Sequence, residues 1–137
     1  MNAPASPKTI RLADYTVPSY LVDNVDLQFE LDASTTRVIS TLSMRRNPKG
    51  PGEDCVLNGE HLEMVSIKLD GRLLTAAEFQ RSSTQLILPQ LPEKFQLEIV
   101  TEIHPDQNTA LEGLYHSGAL VCTQCEAEGF RRITYYP

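Results

Sequence analysis

A short polar segment near the end of the sequence carries the residues best suited to chemistry. Gln124 and Glu126 are two residues apart, and because side chains alternate along an extended strand, both are expected on one face. A carboxylate and an amide carbonyl both accept hydrogen bonds, which suits an ammonium group. Such a charge-assisted bond contributes roughly 1.5–3 kcal/mol when partly desolvated. We therefore predict a site that distinguishes a free amino terminus from a blocked one.

Two cysteines in the same segment suggest a different chemistry. The alternation that joins Gln124 to Glu126 also places Cys122 on their face and Cys125 on the opposite face. A Cys-x-x-Cys metal or redox site needs converging sulfur atoms, so this spacing in a strand argues against one. The histidines that a metal site would need as further ligands are isolated in the sequence: His61, His104 and His116. A small thiol or metal-binding protein stays the weaker alternative.

Glu128 allows two interpretations. If the strand continues, its carboxylate lies on the same face as Glu126 and adds to the acidic site. Otherwise it is a surface carboxylate paired with Arg131 or Arg132, and such exposed pairs contribute little stability. The pattern favours the surface pair.

The elements that must position this segment are predicted to be short strands. A first strand has alternating apolar residues at Val25, Leu27, Phe29 and Leu31, which predicts a half-buried antiparallel strand. After the turn-forming residues 33–36, the run 37–45 brings a second apolar set to one face, with Ser40 among it: Val38, Leu42 and Met44. A hairpin is therefore expected.

Further strand signals follow along the chain. Residues 55–57 and 85–88 are short apolar runs, and two longer alternating sets follow the same rule: Val65, Ile67 and Leu69, and Phe95, Leu97, Ile99, Thr101 and Ile103. Asp70-Gly71 is a dipeptide favoured in two-residue hairpin turns. The one helix-like stretch, 75–81, is too short to form a helical layer. We predict an all-β fold, an antiparallel β-sandwich or open sheet.

Composition limits the function classes. The 137 residues fit one domain, and a formal net charge of −6 with a pI of about 5.0 is the wrong sign for nucleic acid or anionic lipid. Residues 1–8 show no apolar run of the signal-peptide or anchor type. Three cysteines are an odd count, which is unusual for a secreted disulfide framework. A cytoplasmic location is predicted.

Three segments together resemble a known family. They read Asn-Thr-Ala-Leu-Glu-Gly-Leu-Tyr at 108–115, Cys-Thr-Gln-Cys-Glu-Ala-Glu-Gly-Phe-Arg at 122–131, and Ile-Thr-Tyr-Tyr at 133–136. Leu57-Asn58-Gly59-Glu60 and Leu91-Pro92-Glu93 occur upstream in the family's order. The chain is similar, from about Tyr15 onward, to the N-terminal domain of bacterial aminopeptidase N, in the gluzincin zinc aminopeptidase family.

The resemblance implies a parent enzyme that removes single residues from peptide amino termini. It implies that Glu126 binds the substrate's α-ammonium group and that Gln124 lines the first specificity pocket. The family's His-Glu-x-x-His zinc helix and its catalytic groups lie downstream of Pro137, and the 137 residues contain none of them. The resemblance thus implies zinc in the full-length parent, none in this chain, and no catalytic residue or activity in this chain alone.

The resemblance also divides the chain. Residues 1–13 are expected to be a flexible N-terminal segment, and 14–137 an incomplete N-terminal β-domain, a saddle-like sheet truncated at its C-terminal end. The remaining domains of the parent are its expected partners, and a sheet edge left open is expected to promote self-association. A free-standing β-sandwich binding module is the alternative function.

Overall fold

The computed structural model describes residues 8–52 and 54–137, so residues 1–7 of the expected flexible segment lie outside the described part. Apart from three short 3-10 turns at Leu12–Asp14, Pro105–Gln107 and Gly129–Arg132, the regular elements described are strands. The strands are β1 Tyr20–Glu30, β2 Thr36–Arg46, β3 Cys55–Asn58, β4 Glu63–Leu69, β5 Arg72–Leu73, β6 Gln80–Arg81, β7 Gln85–Leu88, β8 Lys94–Ile103, β9 Gly113–Ser117 and β10 Leu120–Gln124. The predicted all-β class is confirmed.

The larger sheet has five antiparallel strands in the order β1-β2-β8-β4-β5. The expected hairpin forms β1 and β2, and its turn is held by Asp32, whose carboxylate accepts hydrogen bonds from the backbone N–H groups of Ser34 (2.9 Å) and Thr35 (3.2 Å). These bonds lower the pKa of the Asp32 carboxyl. The apolar alternation predicted for β2 and β8 is confirmed, since the inward side chains from Thr36 to Met44 and from Phe95 to Ile103 are buried.

A β-bulge at Asp23 shifts the side-chain parity of β1. Val22 faces Met44 and Val25 faces Leu42, so Asp23 is the extra residue. Before the bulge the inward residues have even numbers, and after it they have odd numbers. The predicted inward face is correct for Leu27 and Phe29, which pack against buried residues, whereas Val25 is 37% exposed and Leu31, beyond the end of β1, is 63% exposed.

A second bulge, in β4, makes one expectation wrong. Val65 was expected on the buried face with Ile67 and Leu69, yet it is 49% exposed. The register pairs Met64 with Thr101 and Ser66 with Val100, so Val65 is the extra residue and Met64 takes the inward position. Asp70 and Gly71 form the expected two-residue turn with φ values of 48° and 83°.

A smaller sheet of order β3-β7-β6 lies against the five-stranded sheet, and the main core fills the space between them. The core residues are Tyr20, Leu42, Met44, Cys55, Leu57, Ile67, Leu74, Leu86, Leu88, Leu91, Phe95, Leu97, Ile99 and Tyr135. The helix-like stretch 75–81 is not helical. It is a turn in which the Glu78 carboxylate accepts a bond from the Thr75 N–H (2.8 Å), followed by the short strand β6.

The last two strands form a separate hairpin, β9–β10, over a second and smaller core. This cluster joins Val38 and Ile103 of the large sheet to Leu114 of β9 and Ile133 after β10. The chain end is fixed as well, because Asn58 and Tyr136 exchange two backbone hydrogen bonds of 2.7 and 3.0 Å. The C-terminal segment that carries the candidate site is thus attached to both sheets. No helix in the described part is long and apolar enough to cross a membrane.

Candidate functional site

Gln124 lies at the last position of β10, on the open end of the second hairpin. Its register partner is Gly113, the first residue of β9, whose φ of 74° is in the left-handed region. Gly113 follows a loop shaped by Asn108, whose side-chain amide donates to the carbonyl oxygens of Glu112 (2.7 Å) and Leu114 (2.9 Å). The Gln124 side chain is exposed, and as expected it shares a strand face with Cys122.

Glu126 does not lie on the strand, so the extended conformation assumed for 122–126 is wrong at its end. The strand stops at Gln124, and residues 126–128 form a turn that leads into the 3-10 turn Gly129–Arg132. A hydrogen bond from the Gly129 N–H to the Cys125 carbonyl oxygen (3.0 Å) closes this loop, which we call the Glu126 turn, residues 125–129. Glu126 is exposed at its tip. Gln124 and Glu126 are neighbours through this turn and not through strand alternation.

Gly129 allows the two ends of the Glu126 turn to approach closely. A Cβ atom at this position would collide with the carbonyl oxygen of Gln124 and would lie 3.1 Å from the backbone nitrogen of Gly113. Any larger residue at position 129 would push these groups apart. The lack of a Cβ atom at Gly129 therefore allows the turn to pack against the hairpin. The positions of both candidate residues therefore depend on a contact between two glycines.

Two arginines follow the turn and have different surroundings. Arg131 pairs with Glu128 at 3.0 Å in an exposed i,i+3 ion pair, which agrees with the surface interpretation of Glu128. Arg132 is more enclosed, with 20% of its side chain exposed, and its guanidinium group lies between two carboxylates. Its Nη2 is 3.4 Å from Glu60 and its Nε is 3.3 Å from Glu112.

The three cysteines are free thiols with different environments. Cys125 is exposed, Cys122 is half-buried, and Cys55 is enclosed in the main core, where burial raises the pKa of its thiol to about 12. Across the described ranges, no group of three or more His, Cys, Asp or Glu residues could hold a metal ion. The described residues therefore do not provide a ligand set for zinc.

Two clefts flank the β9–β10 hairpin and the Glu126 turn. An apolar groove of about 690 Å³ runs beside the Glu126 turn and is lined mainly by Val25, Leu27, Ala127, Phe130 and Tyr136. On the other side of the hairpin, a more polar cleft of about 570 Å³ is lined in part by His61, His104 and Arg132. The candidate residues thus lie at the border of an apolar surface, with acidic and amide acceptors exposed to solvent.

Comparison with solved structures identifies the class of this fold. The chain is similar to Legionella pneumophila aminopeptidase A, with a TM-score of 0.83 and 30% identity over 93% of this chain and 15% of that one. It also shares its fold with an M1 zinc metallopeptidase from Deinococcus radiodurans, with a TM-score of 0.64 and 14% identity over 82% of this chain and 28% of that one. The fold is that of the N-terminal β-domain of M1 zinc aminopeptidases.

Comparison of sequences narrows this class. The chain is 46% identical over 132 residues to aminopeptidase N of Caulobacter vibrioides, a match that covers 96% of this chain and 15% of that protein. The match lies in the N-terminal region of aminopeptidase N, so the resemblance found in the sequence is confirmed. The chain spans about 15% of the length of this relative. No protein-family model matches the chain.

The sequence pattern does not predict which residues contact the Glu126 turn. In the sequence, Arg132 is only a possible partner of Glu128. Gly113 and Gly129 are only members of the family-like segments 108–115 and 122–131. Gly113 lies eleven residues before Gln124, and Gly129 lies five residues after it. Both leave a signal in the sequence, because glycine marks left-handed turns and close approaches of the backbone. The two carboxylate partners of Arg132 leave none, since they are distant in sequence.

Proposed function

We propose that this chain is the N-terminal β-domain of a zinc aminopeptidase that removes single residues from peptide amino termini. In this proposal Glu126 binds the α-ammonium group of the substrate and Gln124 lines the first specificity pocket. The observation that carries the proposal is the 46% identity to aminopeptidase N over 96% of the chain. Zinc is proposed to be held by residues of the parent outside this chain, and the chain alone is proposed to be inactive.

The local chemistry supports these roles. Glu126 and Gln124 expose oxygen acceptors at the end of the hairpin, and neither side chain is buried. The neighbouring carboxylate Glu128 is already paired with Arg131, which leaves Glu126 as the carboxylate at the tip of the turn. An ammonium group that entered between Glu126 and the remaining domains would be partly desolvated, and its charge-assisted bond would then contribute most.

The test is Glu126→Gln in the full-length enzyme, which removes the charge and keeps the size of the side chain. Loss of one charge-assisted hydrogen bond of roughly 1.5–3 kcal/mol predicts a fall in kcat/KM of about 10- to 150-fold on aminoacyl p-nitroanilides. Zinc content is expected to stay unchanged. Glu128→Gln is the matched control, because it removes a carboxylate from the same turn. Equal effects of the two variants, or no effect of Glu126→Gln, would refute the assignment.

We also propose that the parent is a cytoplasmic protein, because the free thiols are compatible with a reducing compartment.

We further propose that β1 takes part in self-association of the isolated chain, because β1 is an 11-residue edge strand of the five-stranded sheet. Its acidic residues Asp26 and Glu30 repel a second copy, so association should increase with salt. Sedimentation velocity at rising concentration and salt checks this, and a monomer under every condition contradicts it.

A further inference from the structure

Arg132 connects the two ends of the Glu126 turn to the rest of the domain. One end of the turn follows Gln124, which pairs with Gly113 at the start of β9. The other end is Gly129, the first residue of the 3-10 turn that finishes at Arg132. A Cβ at Gly113 would be only 2.9 Å from the Cβ of Arg132, so these two backbones are in direct contact.

The guanidinium group of Arg132 extends this contact with charge. Its Nε is 3.3 Å from Glu112, the residue before Gly113, and its Nη2 is 3.4 Å from Glu60 in the loop between β3 and β4. The backbone adds a third link, since the Glu60 N–H donates to the Arg131 carbonyl oxygen at 3.0 Å. The planar guanidinium can bridge two carboxylates at fixed angles, which a lysine ammonium cannot do equally well.

We propose that Arg132 is a positioning residue for the amino-end site, the proposed substrate-binding pair Gln124 and Glu126. It touches no substrate in this scheme and acts by holding the Glu126 turn against β9, so that Glu126 and Gln124 keep a fixed separation. This role rests on the proposed function of Glu126. Arg131, one residue earlier, is not expected to share it, because the side-chain ion pair of Arg131 is with Glu128, which lies in the same turn.

The test uses the full-length enzyme with four variants: Arg132→Gln, Arg131→Gln, Glu126→Gln and the double variant Glu126→Gln/Arg132→Gln. Arg132→Gln is expected to loosen the Glu126 turn without removing its carboxylate, so KM for aminoacyl p-nitroanilides should rise roughly tenfold, at the low end of the loss expected for Glu126→Gln, with kcat changed less. Arg131→Gln, which removes an exposed pair, is expected to change KM by less than about twofold. In the double variant, KM is expected to equal that of Glu126→Gln alone.

The last comparison separates positioning from a general structural role. If Arg132→Gln raises KM by the same factor with and without Glu126, Arg132 does not act through Glu126 and the inference is overturned. If Glu126→Gln has no effect, the proposed function falls and the inference falls with it. If Glu126→Gln acts and Arg132→Gln does not, only the inference falls.

Two further variants keep the test decisive if Arg132→Gln folds poorly. Glu112→Gln removes one partner of the arginine from a side chain that is 51% exposed, and it is expected to reproduce part of the rise in KM. Arg132→Lys keeps the charge but loses the planar bridge, and it is expected to restore KM only partly. Wild-type KM in Glu112→Gln together with full rescue by lysine would contradict the bridging geometry.

Discussion

Substitution of Gly113 by alanine should disturb the hairpin that carries the candidate site, and Gly118→Ala is its matched control. Both glycines belong to the β9–β10 hairpin and both have positive φ, 74° and 61°. Alanine in this left-handed region costs roughly 1–2 kcal/mol at either position. The two positions differ in their neighbours, because a Cβ at Gly118 meets nothing within 4 Å.

At Gly113 the added methyl group has no room. It would lie 2.9 Å from the Cβ of Arg132 and 3.1 Å from the carbonyl oxygen of Gly129, so the 3-10 turn must move. Overpacking of this kind typically costs about 1–3 kcal/mol, so Gly113→Ala is expected to cost roughly 2–5 kcal/mol in total. Gly118→Ala is expected to cost only the conformational part.

Urea denaturation of the isolated chain measures both free energies of unfolding. The midpoint should fall further for Gly113→Ala than for Gly118→Ala, at an unchanged slope. A domain of this size has a total stability of about 5–15 kcal/mol, so a loss of about 2–5 kcal/mol is a large share of it and should shift the midpoint clearly. Equal losses for the two variants would refute the close contact between Gly113 and the turn that ends at Arg132.

Two other predictions concern the sheets. His104 donates to the Ser34 carbonyl oxygen (2.8 Å) and contacts Glu63 (3.2 Å), and these bonds raise its pKa. Its stabilising contribution is therefore complete below the ordinary value of about 6.5 and is lost as pH rises through the raised pKa. His104→Gln should destabilise the chain more at pH 6 than at pH 9, and a loss independent of pH would contradict this. Measured by urea denaturation, Ile67→Ala should lower the free energy of unfolding by about 2–5 kcal/mol and Val65→Ala by less than about 0.5 kcal/mol. A reversed order would argue against the bulge in β4.

The sequence predicts most strands correctly because their side chains alternate between a buried and an open face. β2 and β8 are central strands, and their inward residues are apolar or small, so period two is unbroken along each. The pattern fails at Val65 because a bulge adds one residue without any change in composition. The sequence shows an apolar residue at that position whether its side chain faces the core or it is the additional residue of a bulge.

The residues of the candidate site stay a prediction, and their predicted geometry differs from the structure. Alternation predicts Gln124 and Glu126 on one face of an extended strand, whereas the structure ends β10 at Gln124 and has Glu126 in a turn. The turn is closed by a backbone bond between positions 125 and 129, which carries no side-chain signal. The partners of Arg132 are 72 and 20 residues away in sequence, so only the folded chain brings them together.

The small core beneath the β9–β10 hairpin has a consequence for local opening. Among the described residues, four fully buried ones form it, Val38, Ile103, Leu114 and Ile133, whereas fourteen form the main core. Segments with few buried apolar contacts open at a lower free energy than the whole domain. Backbone amides of the hairpin should therefore exchange with deuterium before those of β2 and β8. The candidate site would then exist as an equilibrium between closed and opened hairpins, and any ligand that binds only the closed form, such as the substrate of the proposed function, would shift the population toward it.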